Sequence, residues 1–277
     1  MASIMFIFLS KKAQPINERH LNQGQCGKGV SMFGMEDPSQ TLIQIQRYMD
    51  EGRLELAEVM STQFTDLMVS KRKREPQDLI FAVKGLRLLC NVRLLRSKAK
   101  EGLKEAKLLL KERKALEKLL SKHAPHLIST MNPAADDLFL VGKIYSSANV
   151  SKKAITYFKK SLQASPNYIA AALEIFCIQP TPKHAQRLKT SIAEAGQVNK
   201  INGTYVIRPV DAPPIDLIEL QQRLQLFAEQ TSFGFNEMLM EWSRQVKAIE
   251  DGEQAANAQL QSALDALQPK HDYYSYG

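Results

Sequence analysis

The residues of this 277-residue chain that could do chemistry are few and scattered. Three cysteines, Cys26, Cys90 and Cys177, lie far apart, and two of the five histidines, His123 and His126, lie on either side of a proline. A structural zinc site needs four ligands at short spacings, and neither cysteines nor a carboxylate cluster accompany this histidine pair. We therefore predict that the two histidines mark a helix end and do not bind a metal.

The glycine-rich run from Gly24 to Gly29 comes nearest to a phosphate-binding loop. Its spacing differs from that of a P-loop, no Ser or Thr follows Lys28, and nothing before it reads as a strand. No acid pair, nucleophile elbow or metal-ligand cluster occurs elsewhere in the context that catalysis requires. We predict that the chain is not an enzyme and uses no cofactor.

The cysteines also bear on the compartment. An odd number without close pairs argues against a disulfide framework and for a reducing environment. Residues 1–37 begin with an apolar run that is too short to span a bilayer, and they continue as a basic segment. We expect a disordered or targeting leader and an intracellular protein, either cytoplasmic or nuclear, with a mitochondrial presequence as the alternative.

Positive charge is concentrated between residues 71 and 125, which hold 17 Lys and Arg against 6 Asp and Glu in a chain whose net charge is +8. One interpretation is a solvated helix surface with i,i+4 ion pairs. The other is a basic patch within residues 71–122 that binds nucleic acid or an acidic surface, which a basic stripe on one exposed helix face would favour. The candidate patch residues are Lys71, Arg72, Lys73, Arg74, Arg93, Arg96, Lys100, Lys104, Lys107 and Lys111.

The elements that must position these residues are helices. Leu, Ala, Lys and Glu dominate, aromatic residues make up only 7% of the chain, and apolar residues recur at intervals of three and four. This pattern predicts an all-α fold. Gly102 is expected to separate two long helices within the basic segment, and residues 38–197 are expected to form one helical domain.

Residues 138–166 carry the clearest pattern, a pair of antiparallel helices closed by a proline. The small residues Gly142 and Ala154 are expected where the two helices approach closely. Tyr48, Gly52 and Ala57 have the spacing of Tyr145, Asn149 and Ala154, and the chain is expected to reverse at Gly52 and Asn149, residue types that tolerate positive φ. A weaker third echo is Gly102–Ala106, with Ala106 roughly midway between Ala57 and Ala154. The pattern residues of the reference pair are Leu138, Val141, Gly142, Tyr145, Asn149, Ala154, Phe158 and Pro166.

These residues resemble the tetratricopeptide repeat (TPR), in which a large apolar residue, Leu-Gly, Tyr, Ala, Phe and Pro recur within about 34 residues. The resemblance implies an irregular stack of helix pairs with a groove that binds peptides or helices of partner proteins. It also implies that Lys143, Ser146 and Asn149 line that groove. The order of elements is similar to the N-terminal half of the TPR subunits of the anaphase-promoting complex.

The resemblance predicts a non-catalytic adaptor or scaffold subunit in a multiprotein complex, with a cell-cycle ubiquitin-ligase assembly as the expected type. Two alternatives stay open. One is a nucleic-acid or acidic-surface binder that works through residues 71–122, and the other is a TPR chaperone for secreted proteins.

The character of the sequence changes after residue 197. Residues 198–214, rich in Gly, Pro and Asn, are expected to be a linker, with residues 204–208 as a short strand or an extended strap. Residues 215–268 are expected to form a helical hairpin or coiled coil, and residues 269–277 a flexible tail. Met238 and Trp242 share one face of the last helix, which is either core or a partner-binding surface.

Overall fold

The computed structural model describes residues 37–72, 74–123, 134–210, 212–228 and 233–267. They form an all-α protein with one small sheet, which confirms the predicted fold class. Residues 1–36 of the predicted leader, His126 and the predicted tail lie outside the described residues. The helices are α1 Pro38–Asp50, α2 Leu54–Ser70, α3 Pro76–Leu95, α4 Gly102–His123, α5 Ala134–Ser147, α6 Ser151–Ala164, α7 Ile169–Ile178, α8 Pro182–Ala195, α9 Leu217–Gln225 and α10 Asn236–Leu267.

The first six helices are three pairs, α1 with α2, α3 with α4 and α5 with α6. The first helices of these pairs contact one another in turn, α1 with α3 and α3 with α5, and we call them the inner helices. We call α2, α4 and α6 the outer helices. Each of α2 and α4 packs against the inner helix of its own pair and against that of the following pair.

One type of turn joins the two helices of each of these pairs. Gly52, Ser97 and Asn149 have positive φ values of 73°, 57° and 62°, so the chain reverses through the left-handed region. In each turn the next backbone N–H donates to the carbonyl five residues earlier, which is the bond of a Schellman motif. These bonds run from Arg53 to Tyr48 (2.8 Å), from Lys98 to Arg93 (2.7 Å) and from Val150 to Tyr145 (2.8 Å).

The turns fix the register of the three pairs. Five residues after the turn residue come Ala57, Gly102 and Ala154, all buried, and each N–H donates to the carbonyl four residues earlier at 3.1 Å. Gly102 is therefore the equivalent of the two alanines. The sequence pattern had pointed to Ala106, which is also buried but lies one helical turn further along α4.

The close approach that was predicted at Gly142 is present. A Cβ atom at this position would lie 2.5 Å from Cε1 of Phe158, which is fully buried between α5 and its partner helix α6. No side chain larger than hydrogen fits there without displacing the ring, because protein interiors are already close-packed.

Two cores meet at α7. The first core fills the space among α3, α4, α5 and α6 and includes Leu86, Leu109 and Ile144. The second core contains residues of α7, α8, α9, α10 and the sheet. Helix α7 contributes Ile175 to the first core and Phe176 to the second. It is therefore buried on both sides, which explains its nearly continuous apolar sequence.

The segment that was predicted as a linker contains most of an antiparallel sheet of order β1-β2-β3. Its strands are β1 Val198–Ile201, β2 Thr204–Ile207 and β3 Ile215–Asp216. A two-residue turn joins β1 to β2, and both of its residues, Asn202 and Gly203, have positive φ, as type I′ hairpin turns require. Val198 and Ile207 face each other across the ladder and are buried in the second core.

Helix α10 packs on the second core through its N-terminal half, and Glu253 further along the helix pairs with Lys200 of β1. Phe235 and Trp242 anchor it in the second core, whereas residues 251–264 are all exposed. None of the helices in the described ranges combines the length and apolar character that a membrane crossing requires.

Candidate functional site

A pocket of about 300 Å³ opens between the inner helices α3 and α5. Its α3 wall consists of residues spaced four and three apart, and its α5 wall follows the same helical period, so that each helix turns one face to the pocket. Both polar and apolar side chains line it. The lining residues are Arg87, Asn91, Leu94, Asp136, Asp137, Phe139, Leu140 and Lys143.

A buried ion cluster forms one side of this pocket. Asp137, whose side chain is 1% exposed, accepts hydrogen bonds from Arg87 Nε and Nη2, the second at 2.9 Å, and from Arg113 Nη1 at 2.9 Å. Arg113 also pairs with Glu117. The cluster joins α3, α4 and α5. Because the fork of Arg87 is held by two bonds, its position at the pocket is fixed.

Asp136, next along α5, is in a different environment. Its carboxylate accepts a hydrogen bond of 2.9 Å from the Tyr168 hydroxyl. Burial raises the pKa of Asp136 above its ordinary value, and the bond from Tyr168 offsets only part of that rise. The pocket therefore holds one firmly paired carboxylate, Asp137, and one whose charged form is less favoured.

Lys143, the groove residue singled out in the sequence, lies at the pocket and is half-buried. Its Nζ is 2.9 Å from Oε1 of Glu174 on α7, and Arg223 Nη1 donates to the same oxygen at 2.9 Å. Burial alone would raise the pKa of Glu174, but the charges of Lys143 and Arg223 outweigh burial and lower it. Lys143 thus joins the inner pocket to the second core.

The other two predicted groove residues lie further along the chain. Ser146 is half-buried near the end of α5, and Asn149 is exposed in the turn, where its positive φ gives it a structural role. Neither lines the pocket between α3 and α5.

Met238 and Trp242 lie on the inward face of α10. Trp242 is 4% exposed in the second core, and Met238 packs against that core. The backbone N–H of Val198 in β1 donates to the Gln245 side chain, which holds the sheet against this helix. These two residues therefore follow the core alternative.

Three of the four arginines of the predicted basic patch pair with buried carboxylates. Arg74 pairs with the buried Glu112, and both Arg93 and Arg96 pair with the buried Glu58 of α2. Lys98 reaches Glu58 as well, at 3.2 Å. Lys71 pairs with Asp78, Arg72 is exposed, and Lys73 lies outside the described residues.

The lysines of α4 are arranged differently. They recur three or four residues apart, all six are exposed, and none forms an ion pair with another described residue. Lys100, also exposed, precedes them. We call the six residues the α4 lysine stripe: Lys104, Lys107, Lys111, Lys114, Lys118 and Lys122.

The acids of α4 lie away from this stripe. Glu112 is buried against Arg74, Glu117 pairs with Arg113, and Glu105 is half-buried. Positive charge is therefore segregated on one exposed helix face, whereas the i,i+4 pairing of the alternative interpretation does not involve these lysines.

No group of His, Cys, Asp and Glu that could hold a metal occurs among the described residues. Cys90 is buried, and burial raises the pKa of its thiol. No protein-family model matches the chain, and neither does any curated protein.

Proposed function

We propose that this protein is a non-catalytic adaptor of the TPR type, which binds a segment of a partner protein between its inner helices α3 and α5. The observation that carries the proposal is the pocket between these two helices. Consecutive inner helices of paired-helix stacks form extended grooves, and partner segments bind in such grooves through side-chain pockets.

The pocket favours a peptide segment over a charged small molecule. Its volume of about 300 Å³ lies at the lower end for ligand sites and suits one or two side chains. Phe139, Leu140 and Leu94 offer apolar contact, and the Asn91 amide offers both a donor and an acceptor to a peptide backbone. The charges of Arg87 and Lys143 are already matched by Asp137 and Glu174.

The resemblance to the TPR subunits of the anaphase-promoting complex supports a multisubunit assembly as the setting. We infer that the chain is one subunit of such an assembly, and a cell-cycle ubiquitin ligase is the first assembly to examine. The groove would then hold a neighbouring subunit, and the buried ion clusters would keep α3 and α5 in register to receive it.

The test is affinity purification of the full chain from native extract at near-physiological salt after nuclease treatment, read by mass spectrometry. Asn91→Trp fills the pocket. Gln163→Trp is the matched control, since it replaces an exposed amide on the outer helix α6 by the same indole. A set of subunits in fixed proportion that Asn91→Trp loses and Gln163→Trp keeps would support the proposal.

Thermal unfolding of both variants checks that they are folded. The adaptor proposal fails if no defined set of subunits purifies with the wild-type chain. If a defined set does purify and folded Asn91→Trp retains all of it, the proposed site between α3 and α5 is wrong.

A further inference from the structure

We propose that the α4 lysine stripe binds the phosphate backbone of double-stranded nucleic acid without reading its sequence. This surface lies on an outer helix, and its function goes beyond partner binding between α3 and α5. The inference rests on the shape of the stripe, on its uncompensated charge and on what its exposed residues exclude.

The stripe is long, straight and narrow. Lys104 and Lys122 are 18 residues apart on one continuous helix, which gives a length of about 27 Å. At 100° per residue the six lysines fall within an arc of about 80°. A row of charges of this length matches about eight base pairs of a duplex, whose phosphates follow one another at about 3.4 Å per strand.

The charge of the stripe is not neutralised within the described structure. The acids of α4 point elsewhere, and Glu112 and Glu117 are occupied by Arg74 and Arg113. Like charges three and four residues apart on a helix repel each other. Helix α4 holds them together because its opposite face, with Leu109, Leu116 and Leu120, is anchored in the first core.

The exposed residues of α4 argue against single-stranded nucleic acid and membranes as the partner of the stripe. Eight residues between Gly102 and Lys122 are exposed, namely the six lysines of the stripe, Ala115 and Ser121. Single-stranded nucleic acid is bound through aromatic stacking, and helices at membrane surfaces insert large apolar side chains. Neither kind of side chain is exposed on this part of α4.

The composition of the stripe also argues against a protein partner. Protein interfaces are depleted in Lys, and their binding energy is concentrated in aromatic residues and Arg. Interfaces with duplex nucleic acid are strongly positive and need no apolar anchor. Lysines act there as point charges that contact phosphates of any sequence, so duplex nucleic acid is the occupant that the observations favour.

The experiment measures binding of the full chain to a fluorescently labelled 20-base-pair DNA duplex by anisotropy between 50 and 200 mM NaCl. If all six lysines contact phosphates, log K falls with log[salt] with a slope of about −5, which lowers the affinity by about 10³-fold over this range. A second duplex of unrelated sequence should bind equally well.

Three variants separate the stripe from the rest of the surface. K107Q/K111Q/K114Q should make the slope shallower by about 3. K84Q/K183Q/K247Q removes the same charge from exposed positions on α3, α8 and α10 and should leave the slope unchanged. K107R/K111R/K114R keeps the charge and should retain binding, and thermal unfolding of all three variants checks that each is folded.

Several results would overturn the proposal. These are no binding to the duplex at 50 mM NaCl, a slope that the stripe variant leaves unchanged, and equal or tighter binding to a single strand of the same length. Stripe-dependent binding to phosphatidylserine vesicles or to polyglutamate without binding to the duplex would assign the surface to a membrane or to an acidic protein instead. Asn91→Trp should not affect duplex binding, so this proposal and the adaptor proposal can fail separately.

Discussion

Three arginines of the basic segment and the six lysines of the α4 stripe differ in where their side chains lie, although Arg72 is exposed and Lys98 pairs with the buried Glu58. Arg87, Arg93 and Arg96 turn inwards and pair with the buried carboxylates Asp137 and Glu58. The lysines of the α4 stripe turn outwards and pair with no described residue. One basic stretch of sequence therefore contains arginines that stabilise the fold and exposed lysines that form no ion pair within the described structure.

The chemistry of the two side chains explains this division. Guanidinium is weakly hydrated and presents a rigid fork that matches a carboxylate, so Arg tolerates burial beside an acid. The ammonium of Lys is a compact, strongly hydrated charge that stays in water. The net charge of +8 is therefore a poor guide to binding, because the arginines that pair with buried carboxylates are not available to a partner.

The largest loss of stability is expected when a buried carboxylate that binds the arginines is removed. Asp137→Ala should lower the free energy of unfolding by about 3–5 kcal/mol, because Arg87 and Arg113 lose the carboxylate that they share in the interior. Asp136→Ala is the matched control one residue away, and it should cost about 1 kcal/mol because only the bond from Tyr168 is lost. Urea denaturation measures both, and equal losses would show that the two carboxylates do not differ.

The second comparison concerns Glu58, which accepts bonds from Arg93, Arg96 and Lys98. Glu58→Gln should cost about 2 kcal/mol at pH 7, since three bonds to a charged acceptor are weakened. Glu55→Gln, at an exposed carboxylate that pairs with Arg96 alone, should stay within about 0.5 kcal/mol.

The pH dependence of the same variant tests the cause. Burial tends to raise the pKa of Glu58, but the hydrogen bond from Lys98 and the charges of Arg93 and Arg96 outweigh it and lower the pKa from 4.5. The stabilisation is then complete above pH 4.5 and is lost as the pH falls through the lowered folded-state pKa. The stability difference between wild type and Glu58→Gln should be constant from pH 7 to about 5.5 and shrink towards pH 3. A difference that grows on acidification would contradict the lowered pKa.

A smaller effect distinguishes the two cations directly. Arg87→Lys keeps the charge but removes the fork that binds Asp137 with two bonds, and it should cost about 1–2 kcal/mol in urea denaturation. The reverse exchange on the stripe, Lys114→Arg, should change stability by less than about 0.5 kcal/mol. If both exchanges were neutral, geometry would not explain why Arg lies inside and Lys outside.

The sequence predicts much of the helical framework because the signals are local. Apolar periodicity gives the all-α class, and the break expected near Gly102 lies at residues 96–101, with Gly102 as the first residue of α4. Gly52 and Asn149 were expected at chain reversals, and both have positive φ. Each of these features depends on one residue and its immediate neighbours.

The middle turn was missed for the same reason. Ser97 takes the left-handed conformation although serine has little preference for it. The sequence therefore does not fix the register of the second helix pair, and its pattern indicates Ala106 in place of Gly102. The Asn202–Gly203 turn does carry a local signal for the β1–β2 hairpin, because Asn-Gly is the preferred residue pair in type I′ turns.

The site was less predictable than the fold. Glu58 and Arg93 are 35 residues apart, and Arg87 and Asp137 are 50 apart. No pattern in the sequence says which acid meets which arginine, so all basic residues of the segment looked alike. The period of the α4 lysines is visible in the sequence, but only the structure shows that Glu112 and Glu117 pair with arginines and leave the stripe uncompensated.

The smallest predicted effect is a gain in stability, and it tests whether the lysines of the α4 stripe repel one another. In K107Q/K111Q/K114Q, four like-charge neighbour contacts along the stripe disappear, so the free energy of unfolding should rise by about 0.5–1 kcal/mol at low salt. In 1 M NaCl the gain should vanish, because the Debye length shrinks to about 3 Å and the repulsion is already screened. In the control K84Q/K183Q/K247Q each lysine has one cationic neighbour at this spacing, but Arg87 is paired with Asp137 and Lys247 also has Glu250 and Asp251 nearby. The control should therefore show a smaller gain than the stripe variant at low salt and none in 1 M NaCl. Destabilisation of the stripe variant would mean that these lysines support the fold as the arginines do, and the division between arginines and lysines would then be wrong.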